Sequence, residues 1–157
     1  MELERATAER YLRHAFTQML EVADRLGDEK VNERPLGAQT NAVAALIIHC
    51  CGVTEFWLGH VGLGRESERE RDSEFDATAT VAELHDLVDA TLRQLHDDLD
   101  RIMGGTALDT NREGRVFLLD GDESDGSLVL HVIEELFQHL GHAELAADAL
   151  LPGQSRP

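Results

Sequence analysis

The chain has 157 residues, of which 42% are hydrophobic and 29% charged, a packed-globule composition that fits one domain over 1–157. Fourteen Lys and Arg against 31 Asp and Glu give a formal net charge of −17, which repels phosphate backbones and anionic bilayers and argues against nucleic-acid or membrane partners. The first residues lack the apolar core of a signal peptide, and the aliphatic run 42–48 is far short of the roughly 20 residues of a bilayer span. The adjacent pair Cys50 and Cys51 is no disulfide scaffold. The expectation is a soluble, cytoplasmic protein with two reduced, buried thiols.

Four segments carry helical periodicity. In the first, over 4–26, Ala8, Leu12, Ala15, Met19, Val22 and Leu26 recur at steps of three and four, and Gly27 follows where a helix stop favours a residue free to take a positive φ. The second starts near Asn41 with Thr40 as its cap and runs to about His60, before Gly62 and Gly64. It is apolar around most of its circumference, as the most buried element should be. Thr80-Val81-Ala82-Glu83 is a capping box opening a third helix, whose stripe from Val81 to Ile102 ends at Gly104-Gly105. The fourth starts around 125–127 and reaches about Leu150, with Pro152 and Gly153 beyond it. Helices of about 22 residues span roughly 33 Å, and four of them on one core predict an all-α four-helix bundle. Its connections, 27–39, 63–79 and 104–126, are long for a minimal bundle. The charge-dense stretch 65–76 reads as a solvated excursion, and Val116-Phe117-Leu118-Leu119 as a short strand or apolar plug.

Eight histidines occur. His14, His85 and His96 sit on mixed polar faces and read as surface residues. His49 follows the run Ala44-Ala45-Leu46-Ile47-Ile48 and faces the core, where an imidazole needs a ligand or a hydrogen-bond partner. A backbone carbonyl or a carboxylate would serve as well as a metal. On the last helix, His131, Glu134, Glu135, Gln138, His139 and His142 form one polar stripe. Two readings stand side by side: the solvent face of an amphipathic helix, or an interior metal site. The second draws on the absence of any Lys or Arg between Arg115 and Arg156, since a solvated face normally mixes signs. Glu135 and His139 lie one turn apart and can reach one ion.

Other chemistries are missing. There is no His-Glu-x-x-His motif and no acidic residue three positions before any histidine, so neither a zincin nor a di-iron bundle is encoded. Phosphate loops and Gly-x-Ser-x-Gly elbows are absent too. A histidine after an aliphatic run, followed by Glu55-Phe56-Trp57, together with a last helix reading 131–145 as HVIEELFQHLGHAEL and the lead-in Asn32-Glu33-Arg34-Pro35, resembles the DinB-like superfamily. The likeness is to its actinobacterial branch, related to mycothiol-dependent maleylpyruvate isomerase and the thiol S-transferases.

That resemblance implies a DinB-like bundle, often dimeric, with a divalent ion, usually zinc or nickel, near one end. Its metal ligands fall on His49, Glu135 and His139; Glu134, Gln138 and His142 are candidates for orienting ligand nitrogens or handling a proton. The implied activity is metal-dependent transfer of a low-molecular-weight thiol such as mycothiol to an electrophile. Two imidazoles and a carboxylate leave a coordination position open, as in catalytic zinc sites. The acidic surface does little to recruit an anionic substrate such as maleylpyruvate, which favours thiol transfer over isomerisation. The same ligands with Fe²⁺ or another ion would suit oxygen chemistry or hydrolysis. A non-catalytic metal-binding or stress-response bundle is the alternative outside enzymology.

Overall fold

The computed structural model describes residues 3–104 and 124–153. The expected strand or plug at 116–119, and most of the 104–126 connection, lie outside the described residues. Among those described, every regular element is helical. Helix α1 spans Arg5–Lys30, α2 Val43–Thr54, α3 Arg71–Glu74, α4 Val81–Met103 and α5 Asp125–Leu150. A π-helical segment, Glu55–Gly62, continues α2 without a break. Helices α1 and α2 each pack mainly on α4 and α5, while the α1–α2 and α4–α5 contacts are sparse, so those two pairs form the diagonals of a four-helix bundle. The four-residue α3 is an addition, and it leans on α2.

Each long helix follows its apolar spacing. In α1 the buried set is Ala8, Leu12, Ala15, Phe16, Met19, Val22, Ala23 and Leu26, one face at three- and four-residue steps. Gly27 takes φ 64° and ψ 175°, which breaks the helix there, but one further turn carries on to Lys30. That turn is useful at both ends of the bundle's corner. Asp28 Oδ1 accepts the Val81 N–H at the start of α4 (2.7 Å), and the Val31 carbonyl accepts the Ala44 N–H in the first turn of α2 (2.9 Å). The expected Thr40 cap is therefore corrected. The cap position belongs to Ala42, which offers no side-chain bond; Thr40 Oγ1 is occupied with Gly37 O and Leu36 N, and the carbonyl of Val31, the residue after α1, meets a free donor of α2.

Helix α4 opens with the complete capping box of Thr80 and Glu83, and α5 opens on Ser124, whose hydroxyl accepts the Ser127 N–H. The stretch Gly37–Gly62 is long and apolar enough to cross a bilayer by composition, but 78% of its most apolar window is buried among the other helices. Its α2 and π-helical part is the central core element. His85 and His96 are half-exposed yet join α4 to α1, through Asp24 (2.9 Å) and Glu9 (3.0 Å). Burial alone would raise the Glu9 carboxyl. Hydrogen bonds from His96 and Arg13 and the charges of Arg5 and Arg13 instead bring it down to about 2.

The solvated excursion expected over 65–76 is the main correction to the fold. Arg65 reaches into the bundle to pair with Asp98, which is 2% exposed, and also meets Glu55 (3.0 Å). Arg69 and Glu74 fold onto α2. Charges of opposite sign cancel within these clusters, so the segment docks where single charges could not.

The two faces of α5 give a direct test of packing. Leu128 is fully buried and Leu130 is 55% exposed. Leu128→Ala is expected to cost about 2–5 kcal/mol by the cavity it leaves, and Leu130→Ala no more than about 0.5 kcal/mol. Urea titrations with equal slopes would check this; equal losses at the two sites would contradict the packing.

Candidate metal centre

Helix α2 carries His49 into the bundle because its neighbours Leu46, Ile47, Cys50 and Val53 are all buried, and the imidazole itself is only 2% exposed. Helix α5 crosses α2 with Glu135 and His139 on the facing side, anchored by the buried Val132, Leu136 and Ala143. Ligand atoms of His49, Glu135 and His139 all lie within 4.8 Å of one another. The two rings meet edge to face with centroids 4.7 Å apart, and His139 Nε2 stands 3.6 Å from Glu135 Oε2. Of the two readings of the α5 stripe, this part of it looks inward.

The rest of the stripe divides. Glu134 and Gln138 are exposed and bond to each other (3.0 Å), away from the three clustered residues. His131 packs edge-on against Trp57. His142 lies beside His139, with ring centroids 5.5 Å apart, and borders a cleft of about 340 Å³ between α5 and the 35–41 connection. Leu46 also lines that cleft, one turn before His49. The cleft therefore opens one helical turn from the cluster along both helices.

Sequence reasoning missed two residues at this site. Glu74 Oε2 lies 2.8 Å from His49 Nδ1, and Arg69 grips the same carboxylate with Nε (2.6 Å) and Nη2 (2.8 Å). Phe75 stacks on the imidazole at 4.5 Å. The one available signal was that aromatic in an otherwise charged run, since a solvated excursion has no use for a phenyl ring.

The site's ionisation follows from burial and these partners. Desolvation lowers the His49 pKa against the opposing pull of Glu74, and lowers that of His139, assisted by the positive charge His49 and His142 would carry. Both rings are thus neutral near pH 7, as ligand nitrogens must be. Burial would raise Glu74, but its bonds to Arg69 and His49 hold it below the ordinary carboxylate value. His139 Nδ1 is buried without a hydrogen-bond partner among the described residues. A buried ring nitrogen rarely stays unsatisfied, so the donor set fits a divalent ion. Cys50 and Cys51, by contrast, are driven the other way. Burial pushes both thiols up, Cys51 to about 12, leaving neither as a nucleophile.

The sequence family described as mycothiol-S-transferase matches residues 7–150, from the first turns of α1 to the last residue of α5. The chain belongs to that family, which is DinB-like. No curated protein and no solved structure matches it. The mycothiol-S-transferase match takes in all three clustered residues, Glu74 and the residues lining the cleft, so the DinB-like resemblance seen in α2 and α5 extends over the bundle.

Two outcomes follow from these pKa directions. The unfolded imidazoles, with the ordinary value of 6.5, take up protons that folded His49 and His139 resist. Stability from this source is complete above pH 6.5 and falls as the pH drops towards the folded values. In metal-free protein the urea midpoint should hold between pH 8 and 7 and decline below 6.5, with a shallower decline in His139→Gln; identical profiles would contradict the assignment. Cys50 and Cys51 should resist alkylation at pH 7.5 in native protein and react once it is unfolded, a contrast that mass spectrometry reads directly.

Proposed function

We propose that this mycothiol-S-transferase family member is a divalent-metal-dependent thiol S-transferase, with His49, Glu135 and His139 as ligands and zinc or nickel as the ion. The observation that carries the reading is the convergence of two neutral imidazoles and a carboxylate from different helices, with one buried ring nitrogen left unpartnered. When bound, such an ion with an open coordination position supplies Lewis acidity that keeps a thiol ionised near neutral pH.

The chain's own groups do the remaining work. His49 and His139 stay neutral because they are buried, and so keep their lone pairs for the ion. Glu135 contributes one negative charge, which leaves the loaded site net positive and attractive to a thiolate. The cleft beside His142 is walled by Pro35, Leu36, Leu46 and Leu145 with Gln39 and Asn41 at its polar side, a mixed lining suited to the body of a polyhydroxylated thiol such as mycothiol. His142 borders both the cleft and His139, which makes it the group placed to receive the thiol proton. Glu134 and Gln138 lie further out and fit no step in this scheme. The electrophile is a small molecule, transfer takes place in the cytoplasm, and the active form is a homodimer.

Metal content tests the reading first. Wild-type protein purified without a tag should hold about one zinc or nickel per chain, and His139→Ala should hold none. The loaded wild type should then conjugate mycothiol to a model electrophile, and His142→Ala should lose at least tenfold in kcat while keeping its metal. An equal and negligible metal content in wild type and His139→Ala would leave a non-catalytic bundle.

A further inference from the structure

The reading of His49, Glu135 and His139 as metal ligands leaves unexplained why a segment as charged as 65–76 is folded onto α2. We propose that Glu74 is a positioning residue for the metal site, which fixes the ring and tautomer of His49, and that Gly52 provides the space that lets it do so. The proposal rests on the metal reading above and adds to it a residue from outside the two ligand helices.

Three observations carry it. First, Arg69 donates to both oxygens of the Glu74 carboxyl group (2.6 and 2.8 Å), so the 2.8 Å contact with His49 is met by an Nδ1 that carries the hydrogen and donates it. The lone pair is then on Nε2, the nitrogen that would be left to hold an ion. Arg69 Nη2 also comes within 3.3 Å of Nδ1, but its hydrogens are directed at Glu74 at shorter range, and two donors do not bond to each other. Second, the carboxylate is itself immobilised. Arg69 binds both of its oxygens, and the two side chains are only 13% and 11% exposed. The Arg69 guanidinium in turn lies over the Phe56 ring at 5.6 Å. An ordinary surface ion pair has no such support.

Third, α2 has no side chain where the carboxylate rests. Gly52 follows His49 by one turn, and a Cβ built on it would stand 2.3 Å from Glu74 Oε1 and 3.0 Å from Arg69 Nε. A glycine inside a buried helix costs about 1 kcal/mol relative to alanine, and its backbone here is helical, so no unusual φ calls for it. Room for the Glu74–Arg69 pair does. A Cβ at this position would push the carboxylate off His49 without altering a ligand, a charge or a hydrogen-bonding group.

Glu74 is not itself a member of the clustered set, and its oxygens are engaged by Nδ1 and Arg69. His49, Glu74 and Arg69 together carry no net charge, so the assembly orients the ligand without changing the charge presented to the ion. Groups that donate to or accept from a ligand histidine in this way typically contribute 10–100-fold to metal affinity.

The test is competition of metal-free full-length protein against a chromophoric chelator for Zn²⁺, with the visible spectrum of bound Co²⁺ as a second readout. The variants are Glu74→Ala, Glu74→Gln, Gly52→Ala, His139→Ala and, as a control, the fully exposed Asp72→Ala. Glu74→Ala and Gly52→Ala are each expected to weaken zinc about 10–100-fold and to alter the Co²⁺ spectrum. Glu74→Gln, which keeps an acceptor, should fall between them and wild type, and Asp72→Ala should match wild type. Gly52→Ala should unfold no more readily than wild type in urea, so its loss of affinity cannot come from a loosened fold, and it also decides the matter if Glu74→Ala folds poorly. Wild-type affinity and spectrum in Gly52→Ala and Glu74→Ala, with binding abolished in His139→Ala, would overturn the role of Glu74 and leave the metal site standing. Zinc bound no more tightly by wild type than by His139→Ala would overturn the metal reading, and this proposal with it.

Discussion

An imidazole at the centre of a helical bundle has to be satisfied on both nitrogens, and the structure around His49 is arranged to meet that demand. Helix α2 is the most apolar element of the chain, and it buries His49 as deeply as its leucines. No side chain on α2 itself can answer the ring. The partners come from elsewhere: Glu74 on Nδ1, with Glu135 and His139 of α5 close by. Burial also decides the ionisation state, since desolvation keeps both histidines neutral against the attraction of nearby carboxylates. Two neutral, desolvated imidazoles beside a carboxylate are a donor set that a divalent ion could accept.

That demand explains features distant from the ring. The 63–79 connection is long because it must leave the end of the π-helical segment, return along α2 and deliver Glu74 beside His49. Arg65 secures its departure by pairing with Asp98 of α4 and by its carbonyl, which accepts from His60 Nδ1 at 2.6 Å. Arg34, from the connection before α2, donates to the Phe75 carbonyl and to Asp76 (both 2.8 Å), and so holds the far end. Asn32 exchanges two hydrogen bonds with Ala79. With Arg69 on Glu74, three arginines dock a segment that composition alone assigns to solvent. Arg65 and Arg69 contribute by cancelling the buried Asp98 carboxylate and the partly buried one of Glu74, whereas Arg34 meets an exposed Asp76 and acts mainly through its bond to the Phe75 carbonyl.

The thiol chemistry of the family and the chain's own cysteines are separate matters. Cys50 and Cys51 sit directly after His49, but burial raises their pKa values and removes them from reach. The thiol of the proposed transfer would therefore come from outside, by way of the cleft that opens one turn from the cluster beside His142. The two reduced, buried thiols expected from the sequence are what the helix shows.

Much of this was legible in the residues. Apolar spacing located the four long helices to within a few positions, the capping box marked the start of α4, and Gly27 marked a break. Four-residue spacing placed Glu135 and His139 on one face, because an α-helix brings such residues into register without help from the rest of the fold. Resemblance in α2 and α5 pointed to the family that the match over 7–150 bears out. Other features were decided only in three dimensions. Which half of the α5 stripe faces inward depends on where α2 lies. The first turn of α2 is met by the carbonyl of Val31, just past the end of α1, and the partner of His49 arrives from 25 residues away inside a run of charges. Local spacing carries information about neighbours along one helix. Pairing of buried charges across elements depends on which opposite charge the fold brings near, and composition has no means of recording that.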